Sequence, residues 1–356
     1  FTANPRCRVI ASSDELDAPP DRVELNRALA EELDVPYIPD LDEALTRDDV
    51  HIVSLCVENE RRGRVGARCA EAGKHMYLDK PLALNPDDAR AIVQAVKKAG
   101  VRSQMFTNIH SSWAQAAQQA LNRGDIGELR AIHCDVLFAK GHAGSAPVGH
   151  KRREKPTVER YTFVEAKREM FDIGIYAVAM VNWLTHKRVK TVFGTTANYF
   201  FKEHLGCDIE DFGALVLTLE DGVTATIAGG RIGYMSHPQG GISRLHLVGT
   251  RDTLTFDGSK SHLEVSADEP AFQPPPAHPL DPMGMWSSTQ VKSDRPSKRP
   301  WVSVDDGRSR GEVEAFVDCI DKGVESEMNA EMAAQSVAVI SAAYQSAASG
   351  EVVQIG

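Results

Sequence analysis

The sequence predicts an α/β protein, with a Rossmann-type doubly wound parallel sheet followed by an α+β domain that has a large, mostly antiparallel sheet. Three observations carry this reading. Over the first hundred residues, short β-branched runs alternate with helix-periodic segments at short joints, the grammar of a parallel sheet. From Gly127 onward, long strands of alternating polarity dominate, as in an antiparallel sheet with one covered face. At 356 residues the chain is also long enough for two cores. The change of pattern lies between Asn108 and Gly127, which gives units of residues 1–110 and 111–356.

Residues 8–12, RVIAS, form a short apolar strand. A helix follows over 22–33, with Leu25, Ala28, Leu29 and Leu33 on one face. Residues 36–38 connect to a short helix at 41–45. The run VHIVSLCV at 50–57 is a buried strand, and 60–72 is the next helix, closed by Gly73. HMYL at 75–78 is another buried strand, ending in Asp79, Lys80 and Pro81. Asn85 then caps a helix with Pro86 at its first position and Asp87 and Asp88 in its first turn. Residues 103–107 form a strand, and 112–123 a helix stopped at Gly124.

The second half carries strands at 129–138, 189–201, 212–222, 223–230 and 243–258, with an apolar helix over 172–184. Residues 141–168, with seven basic and three acidic side chains, read as a long loop. Residues 270–300, with QPPPAHP and RPSKRP, are an extended excursion. Two helices close the chain from Gly311 to Gly350.

Composition excludes several classes. A formal net charge of −10 argues against a nucleic-acid binder, and no apolar run reaches membrane-spanning length. The six cysteines are scattered without CxxC spacing. They suit reduced thiols in a cytoplasmic protein, with neither a disulfide framework nor a metal site.

Chemistry concentrates at HMYLDKPLAL, residues 75–84. Ligands of open α/β sheets bind beyond the carboxyl ends of the strands, where Asp79 and Lys80 stand. Pro81 holds Lys80 out of helical geometry. A second EKP, at 154–156, follows the hydrophilic HKRR with no strand before it and is a coincidence in a loop. On the helix from Asp172, that carboxylate and the Tyr176 phenol share one face. By the residues alone Asp172 caps the helix and Tyr176 packs in the core.

Four passages together resemble the Gfo/Idh/MocA family of glucose-fructose oxidoreductase, inositol dehydrogenase and dihydrodiol dehydrogenase relatives. AGKHMYLDKPLAL is similar to the family's strand, acid, lysine and proline signature, and FDIGIY to its DxGxH/Y motif. LHLVGTRDTLTFDG resembles its strand pair and AAYQSAASGEVVQI its closing helix and strand. The resemblance covers nearly the whole chain.

It implies an NAD(P)-dependent oxidoreductase that moves hydride between a nicotinamide and a secondary hydroxyl of a sugar, cyclitol or related polyol. An NAD-retaining glycoside-cleaving relative is the first alternative, and a non-catalytic sugar-binding or scaffold protein the second. Lys80 and Tyr176 would handle the proton, the ammonium lowering the phenol's pKa, and Asp172 would orient the substrate. Ser13, Asp14, Asn59, Asp79, Lys80 and Asn108 would face the cofactor, and Lys80, His110, Asp172 and Tyr176 the substrate. Asn59 and Asn108 also read as plain turn residues. Asp14 at a strand end favours NAD, whereas Ser12, Ser13 and Arg22 suit NADP. The family's first strand and GxGxxG turn do not occur in residues 1–60 and are expected upstream of Phe1. The basic loop from Lys151 to Arg168 suggests an anionic or heavily hydroxylated substrate. Relatives imply a homodimer or homotetramer.

Overall fold

A computed structural model describes residues 1–139, 153–163, 166–232, 241–258, 262–266, 301–303 and 311–356. The proline-rich excursion at 270–300 and much of the loop at 141–168 lie outside these residues. The parallel part is built from β1 (Ser12–Ser13), α1 (Pro20–Glu32), β2 (Tyr37–Ile38), α2 (Leu41–Leu45), β3 (Ile52–Leu55), α3 (Asn59–Glu71), β4 (His75–Leu78), α4 (Pro86–Ala99) and β5 (Ser103–Met105). β3, β4 and β5 pair in parallel in that order, and β1 pairs in parallel with β2.

Between these two pieces lies a cavity of about 510 Å³, lined among others by Ile10, Ala11, Leu29, Ile52 and Val65. The strand expected over 8–12 is therefore reduced to Ser12–Ser13, because only the flank toward β2 offers a partner. Conversely, Tyr37–Ile38, expected as a connection, supplies that partner.

Local chemistry explains how the helices sit. The Asn85 side chain accepts from Asp88 N at 2.9 Å, Pro86 opens α4, and Gly100 closes it at φ +67°. α3 crosses α4 closely: a Cβ on Gly63 would lie 2.5 Å from Asp88 Cβ. Only glycine permits that approach.

The second part follows α5 (Ser112–Arg123) with β6 (Leu129–Phe138), a π-helical turn (Met170–Gly174), α6 (Ile175–Thr185), β7 (Val189–Ala197), α7 (Lys202–Gly206), β8 (Phe212–Leu219), β9 (Thr224–Arg231), β10 (Gly241–Gly249) and β11 (Thr253–Asp257). It ends with β12 (His262–Ser266), β13 (Trp301–Ser303), α8 (Glu312–Lys322), α9 (Ala330–Ser349) and β14 (Val353–Gln354). The strands make one sheet in the order β13-β12-β11-β10-β6-β9-β8-β7-β14, antiparallel except for the central β6–β9 pair.

α6, apolar on all sides, is buried against β6, β9 and α9. α9 also reaches α4 and β5, and the chain end is stitched to β5 by Met105 N donating to Met328 O at 2.9 Å and Ala330 N to Ser103 Oγ at 3.0 Å. The carboxyl end of the parallel sheet is thereby held over the amino end of α6.

Candidate active site

Lys80 leaves the end of β4 in a turn fixed from below. Buried Arg62, on α3, donates to the carbonyls of Asp79 and Val57 at 2.9 Å each and to that of Pro81. The Asp79 carboxylate accepts from Lys80 N at 2.9 Å, and the Lys80–Pro81 peptide is cis. Arg62 lies in the helix expected over 60–72, where the sequence reading singled out no residue, and is an interior clamp on the turn.

The Lys80 ammonium meets Asp172. Nζ lies 2.7 Å from Oδ1 and also donates to the Asp172 carbonyl, with both side chains nearly enclosed. Asp172 sits in the π-helical turn at the foot of α6, not in the regular helix expected from the sequence. The turn can rest directly on the sheet because two glycines meet there: a Cβ on Gly229 would fall 2.7 Å from Gly174 Cα. Buried Tyr161 donates its hydroxyl to Asp172 Oδ1, and Arg231 at the end of β9 reaches Oδ2 at 3.4 Å. Burial works to raise the Asp172 carboxyl, but Lys80, Tyr161 and Lys167 together hold it below the usual carboxylate range.

Tyr176 lies beside this pair, with the Lys80 ammonium 5.1 Å above its ring centroid. Its ring is stacked with Phe138 and edge-on to Phe106, both at 6.3 Å. Lys80 and Tyr176 are therefore neighbours, but the ammonium meets the π face and donates its hydrogen bonds to Asp172. The expected depression of the phenol pKa does not follow. Burial, reinforced by the negative charges of Asp172, Asp79 and Glu312, pushes it up. Tyr176 is thus held in its neutral form.

A buried ionic layer backs the site. Glu169, fully enclosed, accepts from Arg231 Nε at 2.8 Å and lies 3.0 Å from His204 Nε2. Behind it Arg168 bridges Glu154 and Glu210 at 3.2 Å each. The second EKP thus contributes a structural ion pair through Glu154. Arg168, counted above in a solvated basic loop, is buried and neutralised. Tyr161, Arg231 and Glu169 carried no sequence signal beyond the GGR that ends β9, since a loop, a sheet strand and a turn converge on them from distant parts of the chain.

Further polar groups stand past the ends of β1, β3 and β5, the last two on either side of β4. Asp14 is buried, its Oδ1 accepting from Glu15 N at 2.8 Å and from Arg61, and its Oδ2 from Asn26 Nδ2 at 3.1 Å. The carboxylate expected to receive a ribose is thus already engaged on both oxygens. Ser13 Oγ, Asn59 Oδ1 and Asn108 Oδ1 are buried and find no hydrogen-bond partner among the described residues. Buried polar atoms of this kind call for a polar ligand, and their line past the strand ends fits a dinucleotide. Ser13, Asp14, Asn59, Asp79 and Asn108 are the residues that would hold it. His110, two residues after Asn108, is buried as well. Among the described residues no cluster of His, Cys, Asp or Glu could hold a metal ion, and no helix is long and apolar enough to cross a membrane.

Comparison with known proteins identifies relatives on both halves. Residues 20–107 match the oxidoreductase family NAD-binding Rossmann fold of GFO/IDH/MocA, and residues 114–255 the GFO/IDH/MocA C-terminal domain. An uncharacterized oxidoreductase of Streptococcus pneumoniae is 31% identical over 258 residues, 68% of this chain and 64% of that protein. Levoglucosan dehydrogenase of Pseudarthrobacter phenanthrenivorans is 28% identical over 116 residues, 28% of this chain and 30% of its own length. The matched stretches thus span less than two thirds of these curated relatives. Among solved structures, a levoglucosan dehydrogenase in complex with NADH superposes with a TM-score of 0.73 at 16% identity, covering 98% of this chain and 90% of that one. An oxidoreductase domain protein from Kribbella flavida gives 0.70 at 19% identity, covering 98% and 90%.

Proposed function

The chain belongs to the Gfo/Idh/MocA family of oxidoreductases, and from that membership we propose that it transfers hydride between a nicotinamide cofactor and a secondary hydroxyl of a sugar, cyclitol or related polyol. The observation that carries the proposal is the Lys80–Asp172 pair, at 2.7 Å, where a buried parallel strand ends against an aromatic wall. When bound, the nicotinamide supplies the hydride acceptor or donor. The protein must then manage the proton of the reacting oxygen and hold the carbon in line.

Lys80 directs two of its N–H donors at Asp172, which leaves the third for a substrate oxygen. Asp172 fixes the ammonium without taking its proton, because its carboxyl is held down. Tyr176 donates its phenol proton to the carbonyl oxygen in reduction, and solvent reprotonates the phenolate that is left; in oxidation the phenol first gives its proton to solvent, and the phenolate then takes the proton of the substrate hydroxyl. Phe106, Phe138 and Tyr176 offer apolar surface to the C–H faces of a ring. The histidine common at the Tyr176 position in glycoside-cleaving relatives is absent here, which favours simple oxidation and reduction. Of the two nicotinamide cofactors, Asp14 at the end of β1 favours NAD, provided that a ribose hydroxyl displaces one of its present partners, Asn26 or Arg61.

The test is turnover of a panel of sugars and polyols by the full-length protein with NAD and NADP, followed by nicotinamide absorbance, beside the Tyr176→Phe variant. The expected result is NAD-linked turnover of at least one polyhydroxy compound, reduced about 100-fold in the variant. Turnover unchanged by the variant would remove Tyr176 from the mechanism. No turnover with any member of the panel would overturn the assignment.

A further inference from the structure

Arg231 has no role in the proton chemistry, yet it is the second cation at the site. Its side chain is 22% exposed, whereas Glu169, to which Nε donates, is not exposed at all. His204 Nε2 on the same Glu169 oxygen and Asp172 Oδ2 at 3.4 Å from Nη2 fix the guanidinium plane from two further sides. Nη1 makes no hydrogen bond to a described residue. A guanidinium clamped along one edge and open along the other is preorganised for a planar, two-oxygen acceptor.

The surroundings are ionic. Lys80 is within hydrogen-bond reach of Asp172, and exposed Lys167 acts electrostatically on the same carboxylate. Asp172 and Glu169 face these cations, Asp79 acts on Tyr176, and Tyr161 and His204 complete the shell.

Building on the oxidoreductase reading above, we propose that the substrate is a sugar acid, whose carboxylate docks on the open edge of Arg231 while the hydroxyl to be oxidised lies at Lys80 and Tyr176. This places the carboxylate-binding group at the end of β9 and not in the basic loop at 151–168, where Arg168 is buried between Glu154 and Glu210. A neutral sugar would offer the fork of Arg231 hydroxyls alone, and the acid would gain a charge-assisted, two-point pair.

The experiment compares kcat/KM for matched pairs: D-glucuronate, its uncharged methyl ester and D-glucose, then D-gluconate and D-glucitol, on the wild type, Arg231→Lys and Arg231→Gln. The wild type is expected to favour the acids by at least 30-fold. Arg231→Gln should erase that preference, largely through KM, and Arg231→Lys should keep part of it because the charge stays and the fork is lost. Thermal unfolding of each variant verifies folding, and the wild-type ratio stands even if Arg231→Gln does not fold. Equal or better use of the neutral partners would overturn the proposal while leaving a polyol oxidoreductase intact. A preference for acids that survives Arg231→Gln in a folded variant would also overturn it. Absence of turnover with every compound would bring down both readings.

Discussion

Two groups of polar residues past the strand ends are finished to different degrees. Around Lys80, the polar groups hold one another: Asp172 Oδ1 receives Lys80 and Tyr161, Oδ2 faces Arg231, and Arg231 leans on Glu169. Past β1, β3 and β5, Ser13 Oγ, Asn59 Oδ1 and Asn108 Oδ1 are buried with no partner among the described residues. The first group is preorganised, so its geometry exists before any ligand arrives. The second is completed by what binds. Substitutions in the first group should therefore strike turnover, and those in the second should strike cofactor affinity.

The sharpest way to break that contrast is Lys80→Met. It removes the donor to the reacting oxygen and leaves Asp172 facing only Tyr161 and Arg231. A fall in kcat of roughly 1,000-fold is expected, with cofactor affinity from fluorescence titration moved far less. Loss of cofactor binding in proportion to kcat would show that the two groups are not separate.

Asn59→Ala and Asn108→Ala probe the other group. Each should weaken the dinucleotide by roughly 3- to 10-fold, the worth of about one hydrogen bond, while kcat at saturation stays within about twofold. A drop in kcat with unaltered affinity would place these residues at the chemistry instead.

The same contrast explains what the sequence revealed. Lys80 was legible because a strand, an acid, a lysine, a proline and a capped helix follow each other without a break, and local order encodes a strand end. Asp172 and Tyr176 were legible as a pair through helical spacing, although the turn beneath Asp172 is π-helical. What stayed hidden is contact between distant segments. Lys80 and Asp172 are 92 positions apart and Asp172 and Arg231 are 59 apart. No periodicity announces that Tyr161, in an irregular stretch, will reach the same carboxylate. Arg62 was passed over and Arg168 was counted in a basic loop for a related reason, since a buried arginine with partners looks in sequence like any surface arginine. The rise of the Tyr176 pKa was also out of reach, because it depends on burial and on Glu312 from the far end of the chain.

Glu312 gives the test with the smallest effect on turnover and a distinct signature in stability. It begins α8 and accepts from Gln104 Nε2 at 3.1 Å, beside β5 and outside the proton chemistry. Burial raises its carboxyl from 4.5 to about 8. Between those values the folded protein keeps a proton that the unfolded chain has released, so this group makes stability fall as pH rises through that window. Below it both states are protonated, and above it both are ionised, so the contribution is level on either side. The slope from one group is at most about 1.4 kcal/mol per pH unit. Glu312→Gln keeps the shape and a hydrogen-bonding oxygen but cannot ionise. Urea midpoints measured from pH 5 to pH 9 should therefore show the variant gaining on the wild type up to about pH 8 and no further, with kcat within about twofold at pH 6. Parallel curves would mean that the carboxylate is already ionised in the folded protein, and the negative charge assigned to Glu312 in raising Tyr176 would then act across the whole pH range.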